Sequence, residues 1–298
     1  MPLQRHPRED AIVHSLYDKK TGSFQYVIAD PASRQAAIID PVLDFDEKAG
    51  YVATTNADAL LAHVEREGLK VVWILDTHPH ADHLSAAPYL KERLDAPMAI
   101  GERVTGVQAL WKDLYGLDDL NTDGRQWDRL FTDGDVFEIG ALKARVLFSP
   151  GHTMASISYV IGSSAFVHDT LMMPDSGTSR ADFPGGDAHQ LYATLKRILA
   201  LPADTALFVG HDYGKDGRDP ACMSTVFEQR ASNIHLAGAV DEATFVRTRE
   251  ARDATLPLPA LMLHALQVNI RGGRLPEPEA NGRRYLRIPL GQFTPPEA

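Results

Sequence analysis

Residues 78–83 place three histidines and one aspartate within six residues, in the segment Thr77-His78-Pro79-His80-Ala81-Asp82-His83. Imidazole nitrogens and carboxylate oxygens at this density are donors that suit zinc, iron and similar ions. His78 and His80 point the same way from extended chain, while Asp82 and His83 begin the next turn and face the same point from another side. The segment therefore predicts a metal site rather than a solvated polar loop.

Three more such residues follow apolar runs further along the chain. His152 lies in the turn Ser149-Pro150-Gly151-His152-Thr153, Asp169 ends Ala165-Phe166-Val167-His168-Asp169, and His211 follows Phe208-Val209-Gly210. Taken singly, His152 and Asp169 are each more often a turn or cap residue. Four apolar runs that each end in His or Asp instead indicate one shared metal-binding edge.

The elements that must position these residues are visible in the apolar periodicity. Strand-like runs cover residues 26–29, 36–39, 71–75, 136–139, 144–148, 156–161 and 206–209. Helical spacing covers residues 57–64 with Asn56 as the expected cap, 84–94, 188–199 and much of 225–252, and residues 102–128 predict a helix followed by a loop. The runs between 136 and 161 predict an antiparallel meander. This order favours one domain in which helices cover sheets.

Composition narrows the function classes. The formal charge is −10 without a clustered basic tract, which disfavours a nucleic-acid partner. No apolar run reaches the roughly 20 residues that a membrane helix needs, and the N-terminus lacks the pattern of a secretory signal. The single cysteine, Cys222, excludes an internal disulfide, so we expect a cytoplasmic protein that is independent of membranes.

The histidine and aspartate pattern resembles that of the metallo-β-lactamase superfamily, which is His-x-His-x-Asp-His followed by a later His, Asp and His. The matching residues are His78, His80, Asp82, His83, His152, Asp169 and His211. This resemblance implies an α/β fold, the αββα metallo-β-lactamase sandwich, with its metal site at one edge of the sheets. We expect the catalytic domain to span residues 10–273 and a C-terminal extension to span 274–298, including a mobile Pro295-Pro296 tail.

Further segments resemble the persulfide dioxygenase branch, which includes the human ethylmalonic encephalopathy protein. They are Ile39-Asp40-Pro41-Val42-Leu43, Arg180-Ala181-Asp182-Phe183, Leu256-Pro257-x-Pro259 and Asn269-Ile270-Arg271-x-Gly273. His168 stands where the superfamily usually has glycine, and Asn233-Ile234-His235 replaces an Asn-Pro-Arg run of related glutathione enzymes. With these differences, the sequence resembles a bacterial subgroup of the persulfide dioxygenases.

The resemblance implies one Fe(II) per chain, held by His78, His152 and Asp169, and a reaction of glutathione persulfide with O2 that yields sulfite and glutathione. His80, Asp82, His83 and His211 would then orient these ligands, or hold a second metal. The Tyr213 phenol is a candidate catalytic group near the sulfur. Candidate contacts for the glutathione carboxylates are Arg180, Arg230 and Arg271.

Two alternatives stay open at this point. A dinuclear zinc site, with Asp169 bridging the ions, would make the protein a hydrolase of glutathione thioesters of the glyoxalase II type. A non-catalytic metal-binding protein with a regulatory role is the third reading. The sequence is also compatible with a homo-oligomer.

Overall fold

The structure is a computed structural model that describes residues 3–8 and 10–293. The strands are β1 (Gln4–Pro7), β2 (Ile12–Asp18), β3 (Ser23–Ala29), β4 (Gln35–Ile39), β5 (Val42–Asp46), β6 (Tyr51–Ala53), β7 (Lys70–Leu75), β8 (Leu84–Ser85), β9 (Met98–Gly101), β10 (Arg129–Phe131), β11 (Val136–Ile139), β12 (Leu142–Phe148), β13 (Ile157–Ile161), β14 (Ser164–His168), β15 (Ala206–Val209) and β16 (Met223–Thr225). The helices are α1 (Thr55–Arg66), α2 (Ala87–Leu94), α3 (Val104–Tyr115), α4 (Ala188–Leu199), α5 (Val226–Ser232), α6 (Glu242–Asp253) and α7 (Met262–Asn269).

Two main sheets are built over the described residues. The first has the order β1-β2-β3-β4-β7-β9-β10, in which β4, β7, β9 and β10 run parallel. The second has the order β11-β12-β13-β14-β15-β16, in which only β14 and β15 run parallel. The predicted meander between residues 136 and 161 is confirmed, because β11, β12 and β13 pair in antiparallel fashion.

Alternation along the strands sends side chains to two faces of each sheet and so creates three apolar layers. Between the sheets lies a layer that includes Tyr26 and Phe131 of the first sheet with Tyr159 and Phe208 of the second. Outside the first sheet, α1, α2 and α7 cover residues such as Ile38. Outside the second sheet, α4, α5 and α6 cover the remaining face. The result is a helix–sheet–sheet–helix sandwich.

Two helix starts differ from the predictions. Asn56 is not the cap of α1, because it lies inside the helix. Its free backbone N–H donates to Asp44 Oδ2 at 2.9 Å, so a residue of β5 supplies the acceptor that a cap would provide. The second helix begins at Ala87 rather than at residue 84, since Leu84 pairs with Leu43 in a short strand. Pro88 lies in the first turn of this helix, where its missing N–H costs nothing.

The C-terminal segment follows α7 without regular elements up to residue 293. Gln267 on α7 exchanges two hydrogen bonds with the backbone of Arg287, which ties this segment to the helix. The predicted boundary at 273/274 stays a prediction, and the predicted Pro295-Pro296 tail lies outside the described residues. Within the described ranges, every helix is too short or too polar to cross a membrane. The cytoplasmic location stays a prediction.

Candidate metal centre

The donor residues all lie just beyond strand ends, as predicted. His78 follows β7, His152 follows β12, Asp169 follows β14 and His211 follows β15. The two sheets are joined at this edge because Ile157 N–H donates to the Thr77 carbonyl at 3.0 Å. A rigid sandwich thus fixes loops that come from four distant parts of the chain.

His78, His152 and Asp169 form one buried group whose donor atoms converge. Asp169 Oδ2 lies 3.7 Å from His78 Nε2 and 3.7 Å from His152 Nε2. Two ligands that are each about 2.1 Å from one ion lie roughly 3.0–3.5 Å apart. We call these residues the ligand trio, since their spacing and donor chemistry fit a single ion.

Hydrogen bonds leave the converging nitrogen of His78 without a proton. The Thr77 hydroxyl donates its hydrogen to Asp40 Oδ2 at 2.8 Å, so its oxygen accepts from His78 Nδ1 at 3.0 Å. The proton of the neutral ring therefore sits on Nδ1, and Nε2 keeps a lone pair. Because Nε2 is buried and has no partner among the described residues, it is suited to bind a metal.

The Nε2 atom of His152 is also left without a proton, through a different contact. Its Nδ1 donates to the Arg180 carbonyl at 2.9 Å, which leaves the Nε2 lone pair toward Asp169. Burial lowers the pKa of His78 well below its ordinary value, and burial also lowers the pKa of His152. Both rings are therefore neutral near pH 7, as metal ligands must be.

The neighbouring donors are already bonded to one another. His211 Nδ1 donates to Asp169 Oδ1 at 2.5 Å, and its Nε2 donates to Asp82 Oδ2 at 2.7 Å. Asp82 Oδ2 also accepts from His83 Nδ1 and from the Ser23 hydroxyl, each at 2.9 Å. We call Asp82, His83 and His211 the hydrogen-bonded network.

Charges within this network support one another. Burial opposes a charge on His211, but Asp169 and Asp82 outweigh burial and hold its pKa well above the ordinary value. Burial likewise opposes ionisation of Asp169, yet the His211 imidazolium holds the Asp169 pKa below its ordinary value. At neutral pH one imidazolium therefore bridges two carboxylates.

His80 has a carboxylate partner outside the ligand trio. Its Nε2 lies 3.0 Å from Asp40 Oδ1, and although burial opposes the charge, Asp40 raises the pKa of His80 to about 9. Asp40 thus serves both His78, through Thr77, and His80. Sequence reasoning missed this role, although Asp40 ends an apolar run as the ligands do.

Asn269, at the end of α7, braces the metal-binding loop from behind. Its side-chain amide donates to the carbonyls of His80 at 2.8 Å and His83 at 2.7 Å, and its oxygen accepts from Ser85 N–H. This contact gives a physical reason for the Asn269-Ile270-Arg271-x-Gly273 segment. Gly273 itself has φ +79°, and a Cβ there would lie 2.6 Å from the Ser85 carbonyl oxygen.

His168 occupies the position at which the sequence pattern usually has glycine. Its backbone φ is +40°, in the region that glycine adopts most readily. The ring is buried, and its Nε2 lies 2.9 Å from both the Ser149 and the Thr170 hydroxyls. These contacts anchor the end of β14, directly before Asp169.

A pocket of about 690 Å³ opens onto the ligand trio, and Asp82, His152, Asp169 and His211 all reach its surface. Its outer wall includes the segment Leu256-Pro257-Leu258-Pro259 and the ring of Phe183. Tyr213 lines the mouth with 70% of its surface exposed, and its ring stacks on His211 at a centroid distance of 6.0 Å. Its catalytic role stays a prediction.

Of the three predicted arginine contacts, the structure places only Arg180 on the pocket, and its guanidinium is paired with Asp182 at 2.6 Å. The predicted substrate contacts of Arg230 and Arg271 are not found, because both residues lie outside the lining of this pocket. Arg230 donates to the Leu199 carbonyl at the end of α4, and Arg271 pairs with Asp119 at 3.0 Å. Both guanidinium groups therefore serve the scaffold.

Arg252 on α6 was not anticipated from the sequence. It lines the pocket, and within the described part of the chain its guanidinium has no ion-pair partner. Ser179 also lines the pocket, with a hydroxyl that has no hydrogen-bond partner among the described residues. No local motif marks either residue, because their place depends on how α6 and the loop after β14 pack against each other.

Comparison with known sequences gives concordant matches. A profile of the metallo-beta-lactamase superfamily matches residues 19–211. The Beta-lactamase hydrolase-like protein of Xylella fastidiosa is 64% identical over 288 residues, which are 97% of this chain and 67% of that protein. Glyoxylase B2 of Dictyostelium discoideum is 46% identical over 269 residues, 89% of this chain and 92% of that protein. Mitochondrial persulfide dioxygenase ETHE1 of Bos taurus is 29% identical over 276 residues, 91% of this chain and 93% of that protein.

Comparison of structures agrees with the sequences. The crystal structure of ETHE1 from Myxococcus xanthus superimposes with a TM-score of 0.70 at 31% identity, and the match covers 88% of this chain and 99% of that one. The predicted fold class and the predicted family resemblance are both confirmed.

Proposed function

This chain belongs to the metallo-beta-lactamase superfamily, and from that premise we propose that it is a mononuclear iron enzyme that oxidises glutathione persulfide. The reaction consumes the persulfide, dioxygen and water, and it yields glutathione, sulfite and protons. The terminal sulfur loses four electrons in this balance, and dioxygen gains them. When bound, Fe(II) with three protein ligands supplies open positions at which a substrate anion and dioxygen meet.

The observation that carries this proposal is that the two carboxylate oxygens of Asp169 face different partners. Its Oδ2 faces the two bare histidine nitrogens at 3.7 Å, whereas its Oδ1 accepts from His211. Two histidines and one carboxylate on one face are typical of non-haem Fe(II) oxygenases. Asp82 and His211, at a hydrogen-bond distance of 2.7 Å, are suited to orient that carboxylate.

The pocket supports an anionic thiol substrate. Arg252 offers a guanidinium that is not engaged by a carboxylate among the described residues, and guanidinium binds carboxylates in a bidentate manner. Residues 256–259 add an apolar wall to the same pocket. In this arrangement Arg252 holds a glutathione carboxylate while the persulfide end reaches toward Asp169. The likeness to persulfide dioxygenase ETHE1 supports the same substrate class.

Oxygen uptake tests the proposal directly. Iron-loaded protein is expected to consume dioxygen when glutathione persulfide is added and to release sulfite in equal amount. Rapid cleavage of a glutathione thioester without oxygen uptake would overturn the proposal. Metal analysis of the isolated protein is the companion measurement, with one iron per chain expected.

A matched pair of arginine variants tests the substrate contact. We expect Arg252→Gln to raise KM for glutathione persulfide about tenfold with little change in kcat, which corresponds to about 1.4 kcal/mol. Arg230→Gln is the control, since Arg230 is bonded to the end of α4. Equal KM values for the two variants would show that Arg252 does not contact the substrate.

A dinuclear zinc hydrolase is the second candidate, and three observations favour it. The donor atoms of His80, Asp82 and His83 all lie within 4.8 Å of one another, and His83 Nε2 is buried without a partner among the described residues. Glyoxylase B2 is also a relative at 46% identity. Two zinc ions per active chain, together with thioester hydrolysis, would establish this alternative.

A further inference from the structure

A second cavity, of about 340 Å³, lies at the opposite end of the first sheet. At one end of β3, Ser23 contacts Asp82 and His211, and at the other end Ala29 lines this cavity. At about 3.3 Å per residue, a strand of this length separates the two places by roughly 20 Å. The cavity is therefore distinct from the metal centre.

Positive charge dominates the cavity wall. Arg5, Arg34 and Arg66 line it together with one carboxylate, Glu67. Glu67 lies 3.5 Å from Arg66, whereas Arg5 and Arg34 have no carboxylate within ion-pair distance in residues 3–8 and 10–293. In a chain of net charge −10, three arginines around one carboxylate create a local site that attracts anions.

Two buried histidines form the floor of the cavity. His14 is 7% exposed and His63 is 1% exposed, and their rings meet edge to face at a centroid distance of 4.3 Å. Arg66 donates to His63 Nδ1 at 2.6 Å, so the proton of the neutral His63 ring sits on Nε2. Neither that Nε2 nor His14 Nδ1 has a hydrogen-bond partner among the described residues.

Such unpaired polar atoms are costly in a purely structural cluster. Burial lowers the pKa of His14 to about 4, and burial also lowers the pKa of His63. Both rings are therefore neutral near pH 7 and retain N–H groups that can donate to an anion. A cation is disfavoured by the three guanidinium groups that surround the same space.

We propose that this cavity is a binding site for a small oxyanion, either free phosphate or a phosphate monoester. Guanidinium groups bind phosphate oxygens in a bidentate manner. The Arg5 guanidinium has no partner among the described residues, and that of Arg34 donates to the Glu67 carbonyl and keeps further N–H groups for an anion. A water molecule takes about 30 Å³ of liquid, so a cavity of about 340 Å³ has room for more than one phosphate ion of five heavy atoms. The apolar side chains of Leu3, Ile12 and Leu69 leave room for the organic part of an ester.

Titration of the metal-loaded full chain tests this site. With isotope-labelled histidine, the ring signals of His14 and His63 are expected to shift in a saturable way on addition of millimolar inorganic phosphate. These rings are remote from the metal, so anion binding at the metal centre does not produce this change. A phosphate monoester is titrated in parallel, and tighter binding of the ester would assign the ligand as an ester rather than the free ion.

Charge-removing variants complete the test. Arg5→Gln alone and Arg5→Gln with Arg66→Gln are expected to weaken phosphate binding, the double variant by at least about tenfold. Arg145→Gln on β12 is the control, because it removes one exposed charge from the other sheet. Absence of saturable shifts, or an unchanged affinity in a double variant that keeps its metal content and circular dichroism, would overturn the proposal.

Discussion

Histidines in two different charge states lie side by side at one end of the sandwich, because their hydrogen-bond partners differ. His78 and His152 donate one ring proton to neutral oxygen atoms and keep a bare nitrogen toward Asp169. His211 instead donates from both ring nitrogens to carboxylates, and this holds its pKa well above the ordinary value. The difference teaches that the hydrogen-bond partner, rather than the residue type, decides which histidine can bind a metal.

The largest expected effect comes from Asp169, which contacts the neutral His78 and His152 through one oxygen and the charged His211 through the other. Asp169→Asn keeps the shape but removes the negative charge that faces His78 and His152. We expect metal affinity to fall by more than the roughly 100-fold that loss of an outer contact to a ligand costs, and oxygen uptake to fall with it. Titration with Fe(II), read out by metal content after dialysis, measures this effect.

The control for Asp169 is Asp204→Asn, which changes an exposed aspartate in the loop before β15. Metal content in this variant should equal that of the wild type. Retention of full metal content in Asp169→Asn would show that the Asp169 carboxylate is not a metal ligand, and the ligand trio would no longer differ from the hydrogen-bonded network.

Asp82→Asn should have an intermediate effect. It removes the carboxylate that accepts from His83, His211 and Ser23, so the network no longer holds Asp169 through His211. We expect metal affinity to fall about 10- to 100-fold while the saturating stoichiometry stays at one ion per chain. A drop from two bound ions to one would show that Asp82 is a ligand, and would favour the zinc hydrolase.

Thr77→Val is expected to act more weakly, through His78 alone. Valine has the shape of threonine but offers no acceptor to His78 Nδ1, so the ring tautomer is no longer fixed. We expect metal affinity to fall by about tenfold. Thr77→Ser, which restores the hydroxyl, should recover the affinity, and equal values for the two variants would contradict the role of the Asp40–Thr77 contact.

The smallest effect on metal binding is expected from Asn269→Ala. The change leaves the buried carbonyls of His80 and His83 and the N–H of Ser85 without their partner. We expect the free energy of unfolding of the metal-free protein to fall by roughly 1–3 kcal/mol, measured by urea denaturation. Asn281→Ala, an exposed position, is the control and should unfold like the wild type.

Much of this site could be predicted because its donors follow strand ends. Apolar runs before His78, Asp169 and His211 mark buried strands, and strand ends meet at one edge of a sheet. The state of each histidine could not be predicted, since it depends on contacts between residues that are far apart in the chain. Asp40 and Thr77 are separated by 37 positions, and only the parallel pairing of β4 with β7 brings them together.

Substrate contacts were harder to predict for a similar reason. Arginine is frequent on surfaces, so Arg230 and Arg271 are indistinguishable from Arg252 in the sequence. Their roles depend on which carbonyl or carboxylate the folded chain brings near each guanidinium. Helix starts are hard to predict for the same reason. Asp44, on the distant strand β5, accepts a backbone N–H in the first turn of α1, where a local cap residue was expected to be the acceptor.

The amide of Asn269 also sets an order of events during synthesis of the protein. All the donor residues from His78 to His211 leave the ribosome before α7 does, yet the carbonyls of His80 and His83 gain their side-chain partner only when that helix docks. This brace of the metal-binding loop is therefore completed late, after residue 269 has been translated.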